Sequence, residues 1–380
     1  MVKVSSRHDY VFLFVVVALI ILGGLILISV SSSISQEKFG SSFYYLNHQI
    51  LYGFLPGLIL AFFAFKINLL SLKKLVPLFL LINLIFLGMV FLPQVGVSFK
   101  GAARWIDLGP ISFQPSEFLK LSFILYLSSW LASRTTHQNK FDAGQAEKKF
   151  SQTFIAFLVV IGITGIFLIF QPDISTLLVI ILVATLMYFL ANTPFWHGIL
   201  ITLIIIFGFL VLVGIAPYRF NRILVFLNPE LDPMGIGYQI KQALIAIGSG
   251  GILGSGLGLS LQKFGFLPIP QSISDSIFAI FAEETGFIGS FILVLLYLVF
   301  FWRGLKIGEQ SADKFSKFCA FGITFWITLQ AFVNIGSMIG ILPLTGIPLP
   351  FISYGGSALI SELIGVGILL NISKQIYRSG

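Results

Sequence analysis

Acidic residues are scarce: 15 Asp and Glu in 380 residues, with all charged residues together at 10%. A soluble domain carries about a quarter of its residues as charges, so this composition excludes one. The single cysteine, Cys319, sits inside an apolar run. One cysteine excludes an intramolecular disulfide and a cysteine metal cluster, and leaves a thiol that packs as a small apolar group. Also lacking are an internal repeat, a low-complexity tail and any polar stretch long enough to fold as a separate domain.

What is present is hydrophobic residue, at 57% and in long runs. Runs of about 17 to 25 apolar residues can cross hydrocarbon as helices. Such runs fall at roughly 11–30, 49–65, 75–92, 116–133, 153–170, 174–191, 195–214, 276–302, 316–341 and 351–373. The fold class expected is therefore an all-α integral membrane protein of ten transmembrane helices. It forms a single polytopic membrane domain over residues 1–380, with a large extracytoplasmic loop at about 215–275 between helices seven and eight. The first run follows Lys3 and Arg7 as a signal peptide would, but it ends in Ser-Ser-Ser-Ile-Ser without an Ala-x-Ala-like site, which predicts a retained span.

Lysine and arginine bias sets the orientation. With both termini cytoplasmic, fifteen of the 23 Lys and Arg fall inside, among them Lys66, Lys73, Lys74, Arg134, Lys314 and Lys374. The short outer loops carry only Lys38, Lys100 and Arg104. The net charge of +8 thus reflects topology, and no nucleic-acid partner is expected.

Chemistry is expected on the outer face, where the two long polar segments lie. The segment at 93–115 carries Lys100, Arg104 and Asp107 among turn-forming Gly and Pro. It leads into Glu117 and Lys120, three apart and able to pair on one helix face or to line a water-filled cavity. Asp173, in "FQPDIST", reads as a helix N-cap. Glu362 lacks a partner within its own span and needs one across the bundle.

In the long loop, Arg219 and Arg222 are three apart and suit bidentate binding of phosphate or pyrophosphate. Ile236, Ile240, Ala243, Leu244 and Ile247 recur at helical spacing, the pattern of an interfacial helix. The following "GSGGILGSGLGLSLQKFG" lacks the strand-to-helix context of a nucleotide fingerprint and reads as a close-packed re-entrant or surface loop.

Three of the few acids lie close together in "SISDSIFAIFAEETG". Asp275 opens the eighth span, where it can cap the helix and meet a soluble acceptor at the membrane edge. Glu283 lies about 12 Å deeper at 1.5 Å per residue. Glu283 and Glu284 point about 100° apart, and are expected to pair with buried basic groups rather than to catalyse.

Taken in order, "GAARWIDLGPISFQPSEFLKL", "FQPDIST", "YQIKQALIAIGSGGILGSGLGLSLQKFGFLP", "DSIFAIFAEETGFIG" and "PLPFISYGGSALISELIGVGILLNIS" resemble the signatures of the SEDS family (shape, elongation, division and sporulation), which comprises FtsW, RodA and SpoVE. "NIS" and "QKFGFLP" lean towards the FtsW branch. The resemblance implies a peptidoglycan glycosyltransferase in the bacterial cytoplasmic membrane, polymerising lipid II beside a class B penicillin-binding protein and other divisome or elongasome membrane proteins. It places a catalytic base on Asp275, and departs from the family in reading Ile273-Ser274-Asp275 where His-Thr-Asp is common. Arg104, Lys120, Arg219 and Arg222, with a divalent cation such as Mg or Mn as the one cofactor considered, would then meet the pyrophosphate; Glu117 would orient Lys120, and Asp173, Glu283 and Glu284 would support the bundle. The alternative class is a lipid-linked precursor flippase or ion-coupled transporter, which would place its critical groups near the midplane of a repeated fold.

Overall fold

A computed structural model describes residues 9–93, 95–99, 102–107, 109, 112–136, 143–191, 193–215, 218–261 and 273–379. The chain is mostly helical. Helix α1 spans Tyr10–Phe39; α2, Tyr44–Gln49, continues through a π-helical turn, Ile50–Phe54, into α3, Leu55–Lys66; α4 is Leu69–Met89. Helices α5 (Pro115–Thr136), α6 (Ala143–Phe170), α7 (Ile174–Leu190) and α8 (Phe195–Ile215) follow. The segment after α8 holds α9, Tyr218–Leu227, and α10, Ile236–Ser249. Three long helices close the fold: α11 (Ile277–Glu309), α12 (Lys314–Met338) and α13 (Gly356–Ser379).

Every expected apolar run coincides with a helix. Among the described residues six helical stretches are long and apolar enough to cross a membrane: Tyr10–Phe39, Tyr44–Lys66, Leu69–Met89, Ile277–Glu309, Lys314–Met338 and Gly356–Ile376. Phe154–Phe170, Ile174–Leu190 and Trp196–Gly208 are shorter apolar helices. The all-α expectation needs one correction: a three-stranded antiparallel sheet joins β1 (Gly96–Phe99), β2 (Ala102–Asp107) and β3 (Ser112–Phe113) in the order β1-β2-β3. Its turn residues are visible in the sequence, but its strands are too short to show a period of two.

Helix α12 is the centre of the bundle. Within its most apolar 18 residues 83% are buried, against 39% for α1 and 28% for α4. It packs against α5, α7, α11 and α13, while α13 runs along α3. The outer helices instead present large exposed side chains such as Phe14, Phe62, Phe63 and Phe207, apolar surface that lipid can cover. Cys319 is a free, buried thiol on α12.

Helix α11 is broken at Gly286, whose φ of 65° and ψ of −162° are non-helical. A break at this point would orphan the carbonyls of Glu283 and Glu284 and the amides of Phe287 and Ile288, which an unbroken helix would pair. The glycine-rich loop exchanges partners with all four. Ser255 N donates to Glu283 O at 2.9 Å and Gly256 N to Glu284 O at 3.1 Å, while Phe287 N donates to Gly251 O at 2.9 Å and Ile288 N to Ile252 O at 3.2 Å. The approach is so close that a Cβ on Gly286 would stand 2.3 Å from Gly254 N. Of the readings offered by the sequence, the close-packed loop is the one observed.

Candidate active site

Asp275 precedes α11, whose cap position is Ser276, one residue on from the expected one. Its backbone is held with unusual completeness. Three successive carbonyls have partners: Ile273 O accepts from Tyr354 N at 2.9 Å, Ser274 O from Ser353 Oγ, and Asp275 O from Asn334 Nδ2 at 2.7 Å. Gln239 Nε2 of α10 donates to Ser276 Oγ at 2.8 Å. The side chain is only partly buried. Its carboxylate accepts from Ser274 Oγ at 3.2 Å and stands over Gly346, where an added Cβ would touch Oδ2 at 3.8 Å. At the position where the family often has histidine, Ile273 is 1% exposed and faces the core; Ser274 supplies the neighbouring hydrogen bond instead.

Ser353, Tyr354 and Gly346 belong to the connection between α12 and α13, residues 339–355, whereas Asn334 lies on α12. Irregular backbone inside a membrane bundle must have its polar groups satisfied by protein. Here Asn334 Nδ2 donates to Ile347 O at 2.7 Å, Gln330 Nε2 to Pro348 O at 3.1 Å and Tyr297 Oη to Pro350 O at 2.5 Å. Glu362 Oε2 accepts from Phe351 N at 2.8 Å, a partner eleven residues back at the start of its own expected span rather than across the bundle. Ser353 Oγ accepts from Leu349 N at 2.7 Å and passes a hydrogen bond on to Ser274 O. Tyr354 Oη lies 2.8 Å from His48 Nδ1.

Lys120 and Glu117 are 2% and 3% exposed and form the expected pair on α5, with Nζ 2.8 Å from Oε2. Lys120 also donates to Gln330 Oε1 at 2.7 Å and lies 5.3 Å from the centroid of the Trp326 ring, whose Nε1 donates to the same oxygen at 2.9 Å. Gln330 and Asn334 are one helical turn apart on α12. The buried cation and the segment bearing Asp275 therefore hang from adjacent amides of one helix. Neither amide was singled out from sequence, although two amides four apart in "TLQAFVNIGS" are the same signal as the acids: polar groups on one face of an apolar run.

The remaining sequence candidates take other places. Arg104 donates from Nε to Gln171 O at 3.1 Å and from Nη2 to Pro172 O, fastening the α6–α7 turn. That turn presents Asp173 as the cap of α7, accepting from Thr176 N at 3.4 Å, as expected. Arg222 is exposed on α9; Arg219 belongs to the same helix, but its side chain lies outside the described set. The glutamates have partners among the described residues that were not expected. Glu283 accepts from Ser260 Oγ and, at 3.1 Å, from Leu261 N, and both oxygens of Glu284 lie 2.7 Å from Ser29 Oγ on α1. Among the described residues these partners are hydroxyls and a backbone amide, supplied by the glycine-rich loop and α1. Among the described residues no three His, Cys, Asp or Glu converge as a metal site would require.

Comparison with known proteins agrees with this arrangement over nearly the whole chain. Stage V sporulation protein E of Bacillus subtilis (strain 168) is 38% identical over 370 residues, covering 97% of this chain and 98% of that protein. A probable peptidoglycan glycosyltransferase FtsW of Nitrosococcus halophilus is also 38% identical, over 98% of this chain and 93% of that one. Among solved structures, a chain from a study of the structural coordination of polymerization and crosslinking by a peptidoglycan synthase complex superposes with a TM-score of 0.76 at 25% identity, covering 98% of this chain and 99% of that one. The rod shape determining protein RodA of Thermus thermophilus gives 0.69 at 25% identity, covering 98% of each chain. The family model described as cell cycle protein, for FtsW, RodA and SpoVE, matches residues 10–378, and the chain belongs to that family.

Proposed function

We propose that the chain is a peptidoglycan glycosyltransferase that polymerises lipid II on the outer face of the cytoplasmic membrane, in division or in the maintenance of cell shape. Ten spans with both termini cytoplasmic bring Asp275 to that face. The Asp275 carboxylate takes the proton from the 4-hydroxyl of the acceptor sugar as that oxygen attacks the anomeric carbon of the donor. The bond from that carbon to pyrophosphate breaks with inversion, and undecaprenyl pyrophosphate leaves. Arg219 and Arg222 meet the developing negative charge as donors near the surface, and Lys120, oriented by Glu117, supplies a buried cation. Arg104 acts on the same site by holding the turn at Asp173. The described donor set does not fit a resident divalent cation, and the steps use protein groups and substrate alone.

The observation that carries this reading is the contrast at residues 273–275, where three carbonyls are tied and the partly buried carboxylate stands beside a glycine. A general base needs that combination of fixed position and access. A class B penicillin-binding protein is the proposed partner, which would crosslink the strands as they form. The test is polymerisation of purified lipid II with that partner, comparing wild type and Asp275→Ala. Glycan strands formed equally well by the variant would remove Asp275 as the base.

A further inference from the structure

The segment that fastens Asp275 is itself fastened from a further side. Where α2 ends, His48 and Gln49 take hold of three successive residues of the α12–α13 connection. Gln49 Oε1 accepts from Gly355 N at 3.0 Å, Gln49 Nε2 reaches Ser353 O at 3.5 Å, and His48 Nδ1 lies 2.8 Å from Tyr354 Oη. Gln49 is 8% exposed, so its bonds are made away from bulk water. Two of the residues held in this way, Ser353 and Tyr354, are the ones that donate to Ser274 O and Ile273 O. A short path of hydrogen bonds and peptide units therefore leads from Gln49 to the main chain beside the proposed base.

The local backbone explains how α2 comes so close. The five residues after Gln49, Ile50–Phe54, form the π-helical turn, a local widening that recurs at functional sites. A Cβ added to Gly53 would stand 3.2 Å from Gly356 Cα, and one added to Gly356 would stand 2.9 Å from Tyr52 O. The Cβ on Gly53 would also lie 3.6 Å from Gln49 Cδ, so glutamine and glycine share the face turned to the start of α13. With no side chain on either glycine, the turn packs backbone to backbone and sets the depth at which Gln49 meets Gly355.

We propose that Gln49 is a positioning residue for the glycosyl transfer described above. The proposal rests on the reading of Asp275 as the base: Gln49 fixes residues 353–355, and they fix the backbone from which the carboxylate projects. Gln49 itself exchanges no proton. A displacement of about 1 Å at a reacting group costs on the order of 10²-fold in rate, so a support at this remove can carry a large effect.

The test measures lipid II polymerisation by the full chain with a class B penicillin-binding protein, together with hydrogen exchange of the same preparations. Gln49→Met keeps the volume and removes both bonds. It should lower kcat by about 10–100-fold and leave KM for lipid II within about twofold. Exchange should rise at residues 353–355 while the rest of the bundle stays protected. Gln49→Glu keeps an oxygen for Gly355 N and should recover most of kcat. Wild-type kcat in Gln49→Met would overturn the proposal, as would a loss confined to KM or exchange raised throughout the bundle. So would a Gln49→Glu enzyme no faster than Gln49→Met. Asp275→Asn in the same assay separates this proposal from the reading beneath it. Wild-type turnover by Asp275→Asn removes the base whatever Gln49 does, whereas an inactive Asp275→Asn beside a fully active Gln49→Met removes the positioning role alone.

Discussion

Asp275 and the pair Glu283–Glu284 lie within ten residues of one another, and the fold handles them in opposite ways. At Asp275 the backbone is fastened from two other elements and the side chain keeps access to the surface. At Glu283 and Glu284 the side chains themselves are fastened, at 3% and 2% exposure, to Ser260, Leu261 and Ser29. A buried carboxylate whose oxygens are committed to hydroxyls and an amide holds structure, whereas a partly exposed one on a fixed backbone can take a proton. Proximity in sequence therefore says little about role. The main chain is fastened at both places, and whether the side chain is fastened as fully says more.

The comparison can be broken outright at Asp275. Asp275→Asn keeps the shape and removes the base, so polymerisation of lipid II should fall by about 10²–10⁴-fold. The unfolding temperature in detergent should stay within a degree or two of wild type, which differential scanning fluorimetry can check. A matching loss of thermal stability would mean that Asp275, too, is structural.

Next in size is the junction between the regions. Gly286→Ala places a side chain at a φ of 65° against the backbone of Gly254, and should cost about 1–3 kcal/mol from the backbone conformation alone, with the clash in addition. Loss of the glycine-rich loop's protection in hydrogen exchange, ahead of the rest of the bundle, is the expected readout.

Glu283→Ala comes third. It leaves Ser260 Oγ and Leu261 N without their carboxylate, at about 1–3 kcal/mol of stability, and Glu283→Gln should recover part of that. Activity in both variants should track the folded fraction. A Glu283→Gln enzyme that is fully folded yet inactive would erase the distinction between the two regions. The smallest effect belongs to Ser274→Ala, which removes one hydrogen bond to Asp275 and should cost about 0.5–1.5 kcal/mol, at most about tenfold in kcat/KM.

Much of this was legible before any coordinates. Long apolar runs located the helices, because the demand of hydrocarbon for helical backbone is local and strong. The Glu117–Lys120 pair and the Asp173 cap were also local, their partners lying three residues away. Less visible were Gln330 and Asn334, because a neutral amide in an apolar run does not stand out, and its partners lie 59 residues away at Asp275 or 210 residues away at Lys120. The break in α11 was hidden for the same reason: a glycine in a span is ordinary, and only the loop packed against it shows that the helix stops there. The hydroxyls that meet the glutamates were hidden as well, because Ser29 lies 255 residues from Glu284 and a serine in an apolar run is ordinary.

The burial of α12 bears on how the protein is made. A segment that meets protein on nearly every side, and carries Gln330 and Asn334 inward, gains little from lipid while it stands alone. Its neighbours α5, α7 and α11 all precede it in the chain, so they can already be in the bilayer when it emerges, and only α13 is still to come. Chain order thus gives this amide-bearing helix a prepared berth, and a rearrangement of the gene that moved α12 ahead of its neighbours would strand it in lipid with its amides unmet.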